Sequence, residues 1–171
     1  MIQMSYLHRL PFLLAAALAV VGCAEQPKTA ATPSSAHRLR NVRTTAYSTG
    51  ESGGKRNAVG VALAGKHVRS AASDWSRFPL GTKFKIVGTN EEYIIDDYGT
   101  ALIGTNTIDL YKPSRLEMKR WGVRHVDIDV LQWGSREKSL KVLAPRSHHS
   151  YVRKMIVSLQ KHPSDQTLRV D

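Results

Sequence analysis

The chain has 171 residues, 42% of them hydrophobic, with 25 Lys and Arg against 14 Asp and Glu, a formal charge of +11 at pH 7. That length suits one domain around a single core, and a lone cysteine excludes any disulfide within the chain, so packing must hold the fold. Such a positive balance would suggest nucleic acid in a cytoplasmic protein, and the amino terminus points away from that partner.

Residues 1–10 carry His8 and Arg9, residues 11–21 are unbroken apolar, and Gly22-Cys23 follows. A charged start and an apolar stretch too short to span a bilayer comfortably predict an export signal over residues 1–22. Cys23, directly after Val20-Val21-Gly22, resembles the lipobox of bacterial lipoproteins. That resemblance implies cleavage before Cys23 and a lipid anchor on it. An ordinary secretory signal or an uncleaved anchor with an incidental cysteine is the alternative. Ala24 stands where Asp would mark inner-membrane retention, which implies the outer membrane facing the periplasm, with the inner membrane as the alternative. Removing residues 1–22 deletes only Arg9 among the charges, leaving +10 (24 − 14). An exported basic chain meets anionic cell wall and lipid headgroups.

Residues 23–38, rich in Ala, Thr, Ser and Pro without periodicity, read as a flexible tether, and the domain is expected over residues 39–135. Residues 41–47 are β-branched and aromatic, and a polar loop follows. Residues 59–64 and 67–72 are short apolar runs separated by Gly65-Lys66, a turn signal. Pro79-Leu80-Gly81-Thr82 is a second turn, feeding residues 83–87, where Phe84 and Ile86 alternate with lysines. Thr89-Asn90 returns the chain into Tyr93-Ile94-Ile95. Val126, Ile128 and Val130 alternate with Asp127 and Asp129, a strand buried on one face with the two acids solvated. Between the last two strand signals, Ser114 and Glu117 form a capping box, and Gly122 follows Trp121 as a C-cap. Strands with one short crossover helix predict a mainly β chain folded as a small closed barrel.

Residues 136–171 form a basic extension with eight Lys or Arg against three acids. Tyr151, Val152, Met155, Ile156 and Leu159 recur at helical spacing, which predicts a helix packed on the barrel. A basic amphipathic segment resting on membrane or glycan is the alternative. His148-His149 lacks a third ligand at a fitting spacing, so no metal and no cofactor are expected.

Three aspartates carry the chemistry: Asp74 ahead of the Pro79 turn, Asp97 in Asp96-Asp97-Tyr98-Gly99, and Asp109 in Ile108-Asp109-Leu110-Tyr111. In a strand, Ile108 and Leu110 face one side while Asp109 and Tyr111 share the other. A carboxyl beside packed hydrocarbon has its charged form disfavoured, as a general acid requires. Capping a turn or pairing with a cation is the plainer role for any one of them.

Taken in order, these elements resemble the 3D domain, a family named for three aspartates and built as a six-stranded double-psi β-barrel. Thr45-Ala46-Tyr47 resembles its opening strand, and Trp121-Gly122-Val123-Arg124 its closing one. Trp75 follows Asp74 where the family commonly has proline. The same barrel carries the catalytic aspartate of lytic transglycosylase A-type enzymes and of expansins. The resemblance implies a peptidoglycan-cleaving enzyme in which Asp109 is acid and base, with Asp97 and Asp74 holding it or the sugar. Asp96, Tyr47 and Tyr98 are then substrate-binding candidates, and the chain acts as a monomer. Such cleavage uses the sugar's own C6 hydroxyl, so it needs a single acid where hydrolysis normally needs two. A non-catalytic wall-binding or wall-loosening module, and a structural tether between membrane and wall, are the alternatives.

Overall fold

The computed structural model describes residues 37–49, 54–63 and 68–161. The expected signal segment, Cys23, nearly all of its tether, the Gly65-Lys66 turn and the last ten residues lie outside them. No helix among the described residues is long and apolar enough to cross a membrane.

Six strands, β1 (His37–Tyr47), β2 (Val68–Ala72), β3 (Lys83–Ile86), β4 (Glu92–Asp97), β5 (Ile108–Tyr111) and β6 (Arg124–Gln132), close into a barrel in the order β1-β5-β2-β4-β3-β6. β1 with β5 and β2 with β4 run parallel, and the other four pairings are antiparallel. Parallel neighbours need crossovers rather than hairpins, and the two crossovers give the expected double-psi arrangement. β1 starts at His37, so the last two residues read as tether already belong to the barrel. Of the apolar run, the described residues 59–63 form no strand: Ala62 makes an isolated bridge to Arg56, and Val59 and Val61 are exposed. A single bridge to the adjacent residues is too short a ladder for a strand, and the segment stays loop.

Alternation places Phe84, Ile86, Tyr93, Ile95, Ile108, Leu110, Ile128 and Val130 in the core, with Phe84 stacked on Tyr93 at 5.6 Å between centroids. The two acids expected to be solvated on β6 have partners. The register of β1 shifts between Leu39 and Val42, where Asn41 takes φ 55°, and the Asn41 amide donates to Asp127 Oδ1 at 3.0 Å. Asp129 accepts both ends of the Arg38 guanidinium at 2.8 and 3.0 Å.

Helix α1 (Arg115–Trp121) begins at Ser114, whose hydroxyl accepts the Glu117 amide at 3.2 Å, and stops at Gly122 with φ 60°. The indole N–H of Trp121 donates to Thr44 Oγ1 at 3.2 Å, and its ring lies 4.3 Å from the buried Lys112 ammonium. Lys112 also donates to Glu91 Oε2 at 2.9 Å and to the Tyr93 hydroxyl at 2.8 Å. Burial alone would raise the Glu91 carboxyl, but Lys112, Tyr93 and Arg69 together outweigh it and hold it below the usual range. This cluster pins the helix to the starts of β2 and β4.

The extension folds as two helices, not one: α2 (Arg136–Leu143) precedes α3 (Ser150–Lys161). Ser135 caps α2 by accepting the Lys138 amide at 3.1 Å. Leu143, Val152, Met155 and Leu159 join the barrel's core cluster, each fully buried side chain stabilising by roughly 1.5–3 kcal/mol. The extension therefore packs on the barrel, as its helical spacing predicts. It is riveted to the Pro79 turn: the Ser135 amide donates to Leu80 O at 2.9 Å, the Leu80 amide to Ser139 Oγ at 2.9 Å, and the Gly134 amide to Thr82 Oγ1 at 3.0 Å.

Gly134 makes that junction possible. A Cβ there would sit 2.2 Å from Pro79 O and 2.4 Å from Leu80 O, and backbone oxygens have no rotamer by which to retreat. We expect Gly134→Ala to lower stability by about 1–3 kcal/mol in thermal or denaturant melts. Gly104→Ala, where a Cβ would meet open space, should cost less, its penalty coming from a positive φ alone.

Candidate active site

The register aligns four residues across four strands. Thr45 of β1 is the partner of Asp109 on β5, Asp109 the partner of Ala72 on β2, and Ala72 the partner of Asp97 on β4. Neighbouring strands are about 4.8 Å apart, so the two acids flank a single methyl group. All four residues line one open cavity of about 730 Å³ on the barrel's outer face, walled by Arg43 and Tyr47 of β1 and by residues 98–102.

Asp109 reaches this face by alternation, since Ile108 and Leu110 are wholly buried. Asp97 does not. Along β4, Tyr93 and Ile95 point into the core, and simple alternation would send Asp97 after them. A register shift intervenes: Ala71 pairs with Ile95 and Ala72 with Asp97, two residues on one strand against one on the other. This bulge re-aims Asp97. It is held from behind, where the Trp75 indole N–H and the Ser73 amide donate to Asp97 O at 2.8 and 3.1 Å, and the Ser70 hydroxyl donates to Asp96. Trp75, in the place where proline is common, thus supplies a donor that proline lacks.

The side chain of Asp97 is equally constrained. Oδ1 accepts the amides of Ala58 at 3.0 Å and Tyr98 at 2.9 Å, and Oδ2 accepts the Tyr47 hydroxyl at 3.4 Å. Burial raises its pKa, the nearby Asp96 charge adds to that, and the three hydrogen bonds offset only part of it. Tyr47 stays protonated, its own pKa driven upward first by burial and further by the charges of Asp97, Asp96 and Asp109. Its hydroxyl donates to Asp97 and lies 3.1 Å from Ser70 Oγ, with its ring edge-on to Tyr111. Asp109 Oδ1 accepts the Thr45 hydroxyl at 2.6 Å.

Asp74 is placed apart from the cavity lining. Only 2% exposed, it accepts the Ser76 amide and hydroxyl on Oδ1 at 2.8 and 2.7 Å, and the Gly104 amide on Oδ2 at 2.7 Å. The first aspartate therefore ties its own turn to the loop that walls the cavity. Asp96 also stands outside the lining, whereas Tyr98 stands inside it, edge-on to Trp75 at 5.1 Å. Arg43 and Thr45 escaped the sequence reading. Their signal was present, because Arg43, Thr45 and Tyr47 share one face of β1 by alternation while Val42 and Thr44 are buried. No group of three or more His, Cys, Asp or Glu among the described residues is arranged to hold a metal.

The raised Asp97 pKa has a sign. A carboxyl that binds its proton more tightly when folded contributes stability below its unfolded pKa of about 3.9, and that contribution is lost as pH rises through the folded value. Asp97→Asn removes the ionisable group. We expect it to melt higher than the parent near pH 7, with the gain vanishing by about pH 3. An equal difference at both pH values contradicts the assignment.

No curated protein matches the chain. Residues 69–132 match the family model of the 3D domain, a stretch that holds all three aspartates and strands β3 to β6 entire. The closed six-stranded barrel around that stretch is consistent with a 3D-domain double-psi barrel.

Proposed function

We propose that the protein is an envelope lipoprotein that cleaves peptidoglycan glycan strands, with Asp109 as the acid and base. The observation that carries this reading is the row Thr45–Asp109–Ala72–Asp97, two carboxyls set on either side of a small residue and open to one cavity. The 3D domain is associated with peptidoglycan-related, lytic transglycosylase-like proteins, which supports the same substrate class.

Asp97 has both oxygens engaged by protein donors, which suits a group that positions and polarises. Asp109 is the proton carrier. In the first step its carboxyl donates to the oxygen bridging N-acetylmuramic acid and N-acetylglucosamine, and the glycosidic bond breaks. As carboxylate it then takes the proton of the muramyl C6 hydroxyl, whose oxygen closes on C1 to form a 1,6-anhydro ring. The proton returns to Asp109, and no water is consumed. Thr45 orients the carboxyl through its 2.6 Å hydrogen bond. Negative charge on Asp97 beside the cavity favours the positive character that develops at the sugar ring. Arg43, on the cavity wall with its guanidinium 3.1 Å from Thr107 Oγ1, supplies a cation for a substrate carboxylate.

Digestion of purified peptidoglycan should release anhydro-muropeptides, identified by mass as one water lighter than hydrolytic products. Asp109→Asn should reduce their release by about 10²–10⁴-fold. Undiminished release from that variant removes the mechanism. Products bearing reducing ends in place of anhydro rings would instead make Asp97 and Asp109 a hydrolytic pair. Binding to sacculi with no product at all would favour the wall-binding module.

The envelope address rests on residues 1–23. Replacing Cys23 with alanine should move the protein from the membrane fraction to the soluble periplasmic fraction, and an unchanged distribution removes the lipid anchor from the proposal.

A further inference from the structure

One guanidinium outside the matched 3D stretch touches both segments that hold Asp97. Arg146 lies in the turn between α2 and α3. It donates through one nitrogen to the Tyr98 hydroxyl at 3.2 Å and through the other to Ala58 O at 2.8 Å, and it lies 5.9 Å from the centre of the Tyr98 ring. Ala58 and Tyr98 are the two residues whose backbone amides donate to Asp97 Oδ1. They come from segments 40 residues apart in the chain. Tyr98 lines the cavity with residues 99–102, and Gly54, four residues before Ala58, lines it too.

We infer that Arg146 is a positioning residue, a clamp by which the carboxy-terminal helices set the two amides that hold Asp97 and the spacing of the cavity walls. The chemistry suits the task. Arginine presents several donors in a planar fork, so one side chain fixes two acceptors at a set separation, where a lysine ammonium on its flexible stem acts as a point charge. The clamp has a rigid base, because Leu143 and Val152 on either side of this turn are fully buried in the shared core and the Ser135, Ser139 and Gly134 bonds fasten α2 to the barrel. Tyr151 continues the contact, with its ring 6.4 Å from that of Tyr98. The candidate site thus has a support from outside the barrel.

This inference rests on Asp97 belonging to the working site, but its test does not depend on turnover. Ionisable or charged groups near Asp97 are Arg43 and Tyr47 from β1, Asp109 from β5, Asp96 from its own strand and Tyr98 beside it; Lys55 and Arg56 lie on the Ala58 loop, Arg56 being bonded to Gly60 O at 2.7 Å. Of these, only Tyr98 is bonded to Arg146 and loses a contact when Arg146 is changed. Loss of the clamp loosens two donors that favour the carboxylate, so the Asp97 titration must move to higher pH.

Hydrogen exchange and carboxyl-carbon NMR on the full chain read both effects, with Asp97→Asn assigning the resonance. In Arg146→Ala we expect the Ala58 and Tyr98 amides to exchange on the order of tenfold faster, the Ile95 amide within the barrel to keep its rate, and the Asp97 midpoint to rise. Arg146→Lys, which keeps the charge without the fork, should restore neither. Full restoration by lysine, or unchanged exchange and midpoint in a folded alanine variant, overturns the clamp. If the alanine variant fails to fold, Tyr98→Phe, which removes one of the two acceptors and leaves the ring, should raise the Asp97 midpoint by a smaller amount, and no rise there overturns the proposal equally. Inactivity of the parent protein towards peptidoglycan would remove the proposed reaction and leave these measurements unaffected.

Discussion

The bulge at Asp96 and Asp97 is the constraint from which the site follows. Six short strands closed on a core of Ile, Leu, Phe and Tyr leave no room for a charged group inside, and alternation would have carried Asp97 there after Tyr93 and Ile95. One extra residue in β4 relative to β2 turns the carboxyl outward to the level of Asp109. Everything nearby secures that irregularity. Trp75 and Ser73 occupy the carbonyl, Ser70 holds the residue before, and Ala58, Tyr98 and Tyr47 hold the carboxyl. A bulge interrupts the ladder locally, and this one compensates by drawing donors from the β1 end, the Ala58 loop and the turn after β2.

Two acids in this barrel illustrate opposite uses of burial. Glu91 is partly buried beside Lys112 and Arg69, and its charge is matched, so its carboxyl is held low and its bond network stabilises above the acidic range. Asp97 is partly buried beside another acid with neutral donors only, and its pKa is raised. The first arrangement fastens α1 to the sheet and lies away from the cavity. The second holds a proton more tightly than an ordinary carboxyl, next to a cavity that a ligand can enter. Perturbation of the second kind is the one that makes a group a functional-site candidate.

Much of this was legible in the sequence, and what was not has a physical reason. Period-two patterning found β3, β6 and the strand around Ile108, where a local pattern meets a buried face, and the Ser114 and Gly122 signals fixed α1 through its caps, although none of its residues is buried. The apolar run at residues 59–64 misled, since hydrophobicity alone does not supply a neighbouring strand. α2 was missed because only Ser139 and Leu143 of its residues are buried, too few to write a helical period. Asp127 and Asp129 lie in exposed hydrogen bonds, in keeping with the solvated reading, but their partners, the Asn41 amide and Arg38, went unread because they lie about 90 residues away in the chain. The separate duty of Asp74 was hidden for the same reason: nothing in the order of residues reveals that Gly104 donates to it.

The three aspartates accordingly divide one task among three physical situations. Asp74 is buried and fully engaged, and it shapes the loop that becomes the cavity wall. Asp97 is re-aimed by a bulge and fixed by amides from two distant segments. Asp109 arrives by simple alternation on a four-residue strand between two buried aliphatic residues. A carboxyl on a short strand with both neighbours in the core has little freedom to move, and precision of this kind is what a group that must both give and receive a proton requires. Strands carry Asp109 and its neighbours Thr45, Ala72 and Asp97, whereas residues 98–102 and the Ala58 segment lie outside the strands. On the proposed mechanism the strand places the proton carrier, and the walls, set in turn by Asp74 and Arg146, govern what reaches it.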